Sequence, residues 1–515
     1  MLKRVKSVSL TGMEGCLVEI ETDISNGLPY FNIVGLGDAS VKESSERVKR
    51  AIKNSGYQYP KGRITVNLSP AYMHKKGTHF DLGIAVSLIL AQNENISCES
   101  NALFIGELSL GGKILPVKGV LPMIMPVILM RDSLNIDEII LPEANCREAY
   151  IFTKDTGVNL IPVNCLKEAV DHVITKPAIV YTESNKYTPD VHNELLDYCD
   201  IRGHFAAKRA IITALAGRHN ILMIGPPGAG KTMLAKRIPG ILPSMTLKEQ
   251  IETNKIYSYA GRLTPETPVV LSRPFRHILP SITKVNLIGG GSRPEPGEIS
   301  LAHNGILFMD EMLEFSNSTI ESLRGPLEDK RIKHIRRGIC TDFQADFILV
   351  GATNPCKCGF LGDKHHQCTC TQTEINNYRR KLSGPITDRI DIALEINRVD
   401  YKSLTGNKDM SSADMREEIN RAQYIQAERF GKYEFKSNGE IPDNYLNEFC
   451  YLNQEGRAFL KTLYERYSLS PRRYNKMLRV ARTIADINNS KNIEVEHISS
   501  ALHYIRIFVE RKELE

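Results

Sequence analysis

Residues 225–232 constrain the fold of this chain more than any other stretch. They read Gly-Pro-Pro-Gly-Ala-Gly-Lys-Thr, the G-x-x-x-x-G-K-T pattern of a phosphate-binding P-loop. An apolar run of strand length, 220–224, precedes the pattern, and a helix-forming run, 233–237, follows it. A chance lysine in a glycine-rich turn would lack these two flanks. The stretch therefore predicts an α/β core in which backbone N–H groups and a helix N-terminus surround phosphate oxygens.

A P-loop assigns a chemical task to its last two residues. Lys231 is expected to reach the β- and γ-phosphates of ATP, and Thr232 is expected to place its hydroxyl on Mg²⁺. The predicted nucleotide contacts are Gly225, Pro226, Pro227, Gly228, Ala229, Gly230, Lys231, Thr232 and, from a later strand, Asp310.

Two later apolar runs end in polar residues suited to hydrolysis. Residues 305–311 end in two acids, the Walker B arrangement. Asp310 is expected to hold Mg²⁺ directly or through water, and Glu311 is expected to polarise the attacking water. Residues 347–354 form the second run, and Asn354 at its end is predicted to orient the lytic water, the sensor 1 role. The alternative is a turn-forming asparagine before Pro355.

Composition limits the partners and the compartment. At 515 residues the chain is expected to form about three domains. Its net charge of +6 is weak for this length, so local clusters must identify any anionic partner. The longest apolar run, 120–130, contains two prolines and is too short to span a bilayer. We predict a cytoplasmic protein without a membrane segment, whose eleven cysteines are thiols or metal ligands rather than disulfides.

One basic segment is a candidate for phosphate contact. Residues 330–337 carry five cations and no acid, with isoleucines between them, which is typical of a β-hairpin arm. Ring ATPases place a pore hairpin at this point of the chain, so contact with a DNA backbone is predicted. The alternative is a solvated face. The predicted contacts are Lys330, Arg331, Lys333, Arg336 and Arg337.

Four cysteines between residues 356 and 370 form a C-x-C…C-x-C cluster. Four thiolates on a short loop suit tetrahedral Zn²⁺ in a structural site. The C-x-C spacing is tighter than the usual zinc spacing, and the alternative is a set of reduced surface cysteines. The predicted zinc ligands are Cys356, Cys358, Cys368 and Cys370.

The C-terminal part supplies two arginine candidates. Arg389, before the strand-like run 392–396, is the candidate arginine finger; its alternative is a salt bridge to Asp388 or Asp391. From residue 411 onward the pattern is helical, which predicts a small helical lid. Arg472 is favoured as sensor 2, the arginine that reaches the γ-phosphate from the lid, and Arg473 stays open for this role.

The N-terminal part alternates strand-like and helix-like patterns, with strands at 65–68 and 139–141 and a helix at 40–55. Residues 76–85 and 106–116 resemble the proteolytic domain of Lon-type proteases. The resemblance places Asp81 at the nucleophilic serine and Leu121 at the catalytic lysine. Neither side chain supplies a hydroxyl or an amine, so we predict a Lon-like scaffold without proteolysis. The alternative is an unrelated α/β domain.

Several longer stretches resemble one family. P-loop, Walker B acids, sensor asparagine, arginine finger and helical lid together resemble an AAA+ ATPase. Residues 289–305, 324–329 and 354–356 resemble signature segments of the magnesium chelatase-like ATPases, and with its Lon-like part the whole chain resembles the ComM/YifB family. The chain departs from the family pattern in two places: His204 replaces a glutamine near the adenine pocket, and His277 is followed by isoleucine instead of a second histidine.

The resemblance implies an α/β multidomain fold with a Lon-protease-like (ribosomal S5 domain 2-like) N-terminal domain, a P-loop AAA+ core and a C-terminal α-helical lid. The expected bounds are 1–175 for the Lon-like domain, 176–196 for a linker, 197–398 for the core and 399–515 for the lid. The implied function is that of a hexameric ring that uses ATP and Mg²⁺ to move single-stranded or branched DNA in recombination or natural transformation. The alternatives are an ATPase subunit of the metal-chelatase type and a protease-linked regulator.

Overall fold

The computed structural model describes residues 2–93, 101–177, 179–182, 196–291, 294–336, 339–363, 365–382, 384–399 and 409–509. Most of the predicted linker, 183–195, lies outside this set. The chain divides into two compact units, each built from separated segments. The first unit comprises Met1–Pro189, Leu247–Val270 and Lys333–Phe343, and the second comprises Asp190–Thr246, Leu271–Ile332 and Gln344–Glu515.

The first unit is built on a mixed seven-stranded sheet with strand order β3-β4-β2-β1-β5-β8-β9. A separate antiparallel pair, β6 and β7, covers the stretch that resembles the Lon strand pair. The strands are β1 Lys3–Thr11, β2 Glu14–Ser25, β3 Tyr30–Val34, β4 Arg63–Ser69, β5 Ala102–Phe104, β6 Glu107–Leu108, β7 Ile114–Leu115, β8 Glu138–Pro142 and β9 Asn159–Val163.

Helices pack against this sheet where the sequence is apolar. Every residue from Asp81 to Ala91 is buried in the helix Asp81–Gln92. The predicted strands at 65–68 and 139–141 and the helix at 40–55 are confirmed, and Asp38 begins that helix by accepting a hydrogen bond from the Val41 N–H at 3.1 Å. The helices are Ala39–Asn54, Asp81–Gln92, Val120–Leu129, Arg131–Leu134, Glu143–Thr153, Leu166–Thr175 and Leu247–Tyr259.

The sequence-based division assigned residues 247–270 to the ATPase core, but they join the first unit. Ser258 shows why: its carbonyl accepts from the Gly119 N–H at 3.0 Å, and its hydroxyl donates to the buried carboxylate of Glu148. These polar bonds anchor the helix Leu247–Tyr259 beside Val120–Leu129. Among the described residues, no helix combines the length and apolarity needed to cross a membrane.

The second unit is built on a five-stranded parallel sheet with strand order β11-β14-β17-β10-β18. Its inner strands are buried throughout, as expected for a parallel sheet covered on both faces. The strands that follow β9 along the chain are β10 Ile221–Ile224, β11 Phe275–Ile278, β12 Gly289–Gly290, β13 Glu295–Pro296, β14 Ile306–Met309, β15 Arg331–Arg336, β16 Ile339–Gln344, β17 Ile348–Thr353 and β18 Ile392–Glu395.

One group of helices surrounds the sheet, and a second group follows its last strand along the chain. Those around the sheet are Phe205–Gly217, Lys231–Lys236, Lys284–Ile288, Glu298–Leu301, Asn317–Glu321, Arg324–Asp329, Gln372–Arg380 and Gly384–Thr387. The C-terminal helices are Ser412–Phe430, Leu446–Phe449, Gln454–Arg466, Pro471–Ile487 and Val495–Val509. Single 3₁₀ turns lie at Tyr198–Asp200, Ile238–Ile241, Met312–Glu314, Asn438–Glu440 and Asp443–Tyr445.

The C-terminal helices share one hydrophobic core with the helix before the P-loop. Ile419 and Ala481 are buried in the same cluster as Ile211. The expected helical region is therefore confirmed, but by packing it belongs to the second unit. Part of the expected boundary, 400–408, lies outside the described residues.

Candidate nucleotide-binding site

The functional segments of the second unit meet at one edge of its parallel sheet. Strands β10, β14, β17 and β18 run in the same direction, so their carboxyl ends lie together. The P-loop follows β10, Asp310 follows β14, and Asn354 follows β17. Ligands of open α/β sheets bind at this edge, outside the carboxyl ends of the strands.

Lys231 links the P-loop to the neighbouring strand. Its Nζ donates to the carbonyls of Gly225 at 2.6 Å and Pro226 at 2.9 Å, and to Oδ1 of Asn354 at 3.1 Å. Burial lowers the pKa of Lys231, while Asp310 and Glu311 act in the opposite direction. The ammonium is thus held directly beside the residue predicted to be sensor 1.

Thr232 and Asp310 place two oxygen atoms side by side, where they could both bind a hard cation. The Thr232 hydroxyl donates to Oδ2 of Asp310 at 2.8 Å, and Oδ1 of Asp310 accepts from the Glu311 N–H at 3.0 Å. A hydroxyl and a carboxylate are oxygen ligands of the kind that Mg²⁺ prefers. The donor set therefore fits the magnesium ion predicted from the sequence.

Glu311 is exposed and sits in the left-handed backbone region, with φ of 51°. Residues other than glycine seldom adopt this conformation, which recurs at functional sites. The 3₁₀ turn Met312–Glu314 follows directly, so the two acids are the last residues between β14 and this turn. Glu311 is therefore accessible to solvent just after the end of this strand.

His204 lies beside the glycine loop. It begins the helix Phe205–Gly217 with φ of 57°, and a Cβ placed at Gly230 would lie 3.3 Å from its Nε2. Desolvation lowers the pKa of His204 from its usual value, so the ring is neutral at pH 7. His204 is therefore an uncharged ring next to the P-loop.

Arg389 lies at the opposite edge of the sheet. Its carbonyl accepts from Nδ2 of Asn220, the residue that precedes β10. Its guanidinium donates to the Pro385 carbonyl at 2.7 Å and forms an ion pair with Glu328. The alternative that the sequence offered was a salt bridge to Asp388 or Asp391. The structure shows the salt bridge with Glu328 instead.

Arg472 shares this edge with Arg389. Its Nη1 lies 3.7 Å from Oδ2 of Asp388, and both arginines line an open, charged cavity of about 480 Å³. A four-residue strand separates this edge from the P-loop edge by about 13 Å at roughly 3.3 Å per residue. Arg472 therefore lies at the edge opposite to its own P-loop, and its sensor 2 role stays a prediction. Arg473 lines the neighbouring small cavity at the same edge, and it stays open as the alternative for this role.

The four predicted zinc ligands converge. Sγ of Cys356 lies 3.3 Å from Sγ of Cys358 and 3.7 Å from that of Cys368, and Cys370 Sγ accepts from the Cys358 N–H at 3.4 Å. All four sulfurs lie within 4.8 Å of one another. The backbone N–H of Phe360 lowers the pKa of the Cys358 thiol to about 5.

The basic segment forms the two-stranded β15–β16 sheet. Arg331, Lys333 and Ile335 are exposed, whereas Ile332 is buried. The predicted hairpin is thus confirmed, but Ile335, 74% exposed, lies with the cations rather than with Ile332, because side chains alternate along a strand.

The other predicted DNA contacts divide into two groups. Lys330 forms ion pairs with Glu440 and, at 3.3 Å, with Asp346, while its side chain remains 42% exposed, so its contact with DNA stays a prediction. The side chain of Arg336, at the end of β15, and the whole of Arg337 lie outside the described residues.

The two positions of the Lon dyad are buried. Asp81 accepts from Nε of Arg47 at 2.7 Å and from Nη2 at 3.1 Å. Leu121 is fully buried, and its N–H donates to Glu148. Both residues serve packing and internal hydrogen bonding in the first unit.

Sequence reasoning missed two residues at the nucleotide edge. Nη2 of Arg398 donates to the Pro227 carbonyl at 3.5 Å, and Gly359 packs against the Pro227 ring. Arg398 follows β18, so the rule that sites gather after parallel strands could have identified it. No local pattern indicates Gly359.

Comparison with known proteins covers nearly the whole chain. The family described as magnesium chelatase, subunit ChlI, matches residues 197–404, and models for the same subunit match residues 20–145 and, as its C-terminal part, 409–505. The competence protein ComM of Haemophilus influenzae is 37% identical over 507 residues, which are 97% of this chain and 96% of that protein. The protein YifB is 35% identical over 507 residues in Escherichia coli, covering 98% and 97% of the two chains, and 35% identical over 498 residues in Salmonella typhimurium, covering 96% and 95%.

Proposed function

The chain belongs to the ComM/YifB family of magnesium chelatase-like proteins, and from this premise we propose that it is an AAA+ ATPase that moves DNA in competence-related recombination. One observation supports the ATPase most directly. Lys231 lies 3.1 Å from Asn354, and Thr232 lies 2.8 Å from Asp310, at one edge of a parallel sheet. The relative's description as a competence protein supports the link to DNA uptake.

Each residue of this edge has a separate role in ATP hydrolysis. Lys231 binds the β- and γ-phosphates, and Asn354 orients the attacking water. Glu311 polarises that water as a general base. Thr232 and Asp310 hold Mg²⁺, which neutralises charge on the phosphate oxygens when bound.

We propose that the active form is a ring, with six subunits as the expected number. Arg389 and Arg472 lie at the edge opposite to their own P-loop, so either arginine meets a γ-phosphate only if that phosphate belongs to a neighbouring subunit. Both arginines line an open cavity, and we propose that a neighbour's polyphosphate reaches them there and forms charge-assisted hydrogen bonds with their guanidinium groups.

We also retain the Lon-like assignment of the N-terminal domain as a proposal. The β6–β7 pair supports it, and the burial of Asp81 and Leu121 fits a scaffold or binding module. A protease-linked regulator finds no support at these two positions, since neither residue presents a reactive group at the surface.

The hairpin is proposed to contact the DNA backbone. Replacing Arg331 and Lys333 together by alanine is expected to weaken DNA binding and abolish DNA stimulation of the ATPase, because both exposed cations lose phosphate contacts. Each lost contact with duplex DNA flattens the slope of log K against log salt by about 0.9. Basal ATPase should survive, since neither residue lies at the nucleotide edge. Fluorescence titration with duplex DNA at several salt concentrations measures the effect.

A matched control removes equal charge elsewhere. Lys461 and Arg466 are exposed on the helix Gln454–Arg466, and their double alanine variant should retain the wild-type salt slope. Equal slopes for the hairpin variant and wild type would mean that the hairpin is a solvated face.

An ATPase of the metal-chelatase type is the second candidate function. It is favoured by the three matching families, each of which is described as a magnesium chelatase subunit or part of one. A DNA-stimulated ATPase assay separates the two: stimulation by single-stranded or branched DNA supports the motor, and its absence together with metal insertion into a porphyrin supports the chelatase.

We propose that Cys356, Cys358, Cys368 and Cys370 bind one structural Zn²⁺, which is supported by the convergence of their sulfurs. Protein purified without a histidine tag should contain about one zinc per chain by elemental analysis. Cys368→Ser should lower this content, whereas Cys340→Ser, at an exposed cysteine of β16 outside the cluster, should leave it unchanged. A zinc content near zero under reducing conditions would exclude the site.

A further inference from the structure

The cysteine loop, residues 356–370, touches the P-loop directly. Gly359, with φ of 85°, lies so close to Pro227 that a Cβ added to it would be 2.7 Å from the Pro227 Cδ. The same Cβ would be 3.8 Å from Cγ of Asn354, the residue bonded to Lys231. One backbone position of the loop thus contacts both the glycine-rich turn and the predicted sensor residue.

A second connection runs through Arg398. Its Nη2 donates to the Pro227 carbonyl at 3.5 Å, and its Nε lies 3.4 Å from Oδ2 of Asp363 in the cysteine loop. Asp363 is held in turn by the N–H groups of His365 at 2.7 Å and His366 at 2.9 Å. The loop therefore meets Pro227 at two places. Gly359 packs against its ring, and Asp363 is linked to its carbonyl through Arg398.

The cysteine cluster joins the two ends of this loop. Its described residues, 356–363 and 365–370, contain neither helix nor strand, so few backbone bonds hold it. Cys356 is fully buried and lies two residues after Asn354, while Cys368 and Cys370 close the other end of the loop onto it. A metal bound to four sulfurs would fix both ends at the point where the loop meets the nucleotide edge.

We propose that the tetrathiolate metal site forms one wall of the nucleotide site, so that binding of Zn²⁺ and binding of nucleotide are coupled. The inference rests on the proposed zinc site and on the proposed ATPase. With the metal bound, the loop holds Pro227 and Asn354 in position for the phosphates. In the zinc-free protein the loop must become ordered when nucleotide binds. The conformational entropy lost in that ordering weakens nucleotide binding.

Linkage makes the coupling reciprocal: the factor by which zinc strengthens nucleotide binding equals the factor by which nucleotide strengthens zinc binding. Coupled sites in proteins typically show factors of about 5 to 150. We expect the dissociation constant for a fluorescent ADP analogue to rise within this range when zinc is removed and to recover when it is restored. Conversely, ADP should raise the affinity for zinc, measured at equilibrium by competition with a chelator.

Two glycines of the loop give a matched pair of variants. Gly359 and Gly362 both have positive φ, 85° and 80°, so alanine carries similar backbone strain at each. Gly359→Ala meets the Pro227 ring, whereas nothing lies within 4 Å of a Cβ at Gly362. Gly359→Ala should keep its zinc and lose ADP affinity, and Gly362→Ala should keep both.

The test measures zinc content and ADP affinity of the full chain under reducing conditions, before and after zinc removal, for wild type and the two variants. Equal ADP affinity in the zinc-loaded and zinc-free wild type would overturn the coupling, as would equal affinities for the two alanine variants. Zinc-loaded wild type that fails to bind ADP at all would instead overturn the proposed ATPase and the coupling with it. Circular dichroism distinguishes local loosening from unfolding of the zinc-free chain.

Discussion

Replacing Glu311 by glutamine is expected to slow ATP hydrolysis by about 10²–10⁴-fold, the contribution of a positioned general base, while ATP binding persists. The amide keeps the size of the side chain but cannot accept the proton of the attacking water. Lys231 and Thr232 stay in place, since their partners are Gly225, Asn354 and Asp310 rather than the Glu311 carboxylate.

The measurement compares single-turnover hydrolysis with the affinity for ATP. Lys231→Ala provides the contrast, because it should lose affinity by removing a phosphate contact. Glu321→Gln removes another exposed carboxylate on the helix Asn317–Glu321 and should behave as wild type. Hydrolysis at the wild-type rate in Glu311→Gln would assign the general base to another residue.

Replacing Arg389 by alanine is expected to lower the rate of hydrolysis by roughly 10³–10⁵, the effect of an arginine finger in well-studied nucleotide hydrolases. The proposed reason is that Arg389 serves the nucleotide of a neighbouring subunit, because its own P-loop lies at the other edge of the sheet. ATP affinity should change much less than the rate, since Lys231 and the P-loop are untouched.

Mixing Arg389→Ala with Lys231→Ala chains tests the action in trans. In a mixed ring, some interfaces pair an intact P-loop from one chain with an intact Arg389 from the other, so part of the activity should return. Absence of recovery in rings shown to be mixed would place Arg389 outside catalysis. Arg380→Ala, at an exposed arginine of the helix Gln372–Arg380, controls for the loss of one positive charge.

Local sequence determined much of the nucleotide edge. The P-loop pattern and two apolar runs that end in Asp310 and Asn354 predicted strands whose ends carry the reacting groups, and the structure brings these ends together. The cysteine cluster was predictable for a similar reason, since four thiols within fifteen residues cannot lie far apart. Helical periodicity predicted the helix at 40–55, and strand alternation predicted the β15–β16 hairpin.

Only the tertiary structure decided what lies next to these elements. Arg472 belongs to a well-predicted helix, yet the direction in which that helix meets the sheet puts it beside Asp388 and away from its own P-loop. The helix Leu247–Tyr259 joins the first unit through Ser258 and Glu148, which are 110 residues apart in sequence. Gly359 meets Pro227 across more than a hundred residues of chain. Periodicity and motifs report short-range chemistry, whereas these contacts depend on strand order and packing between distant segments, which no local pattern encodes.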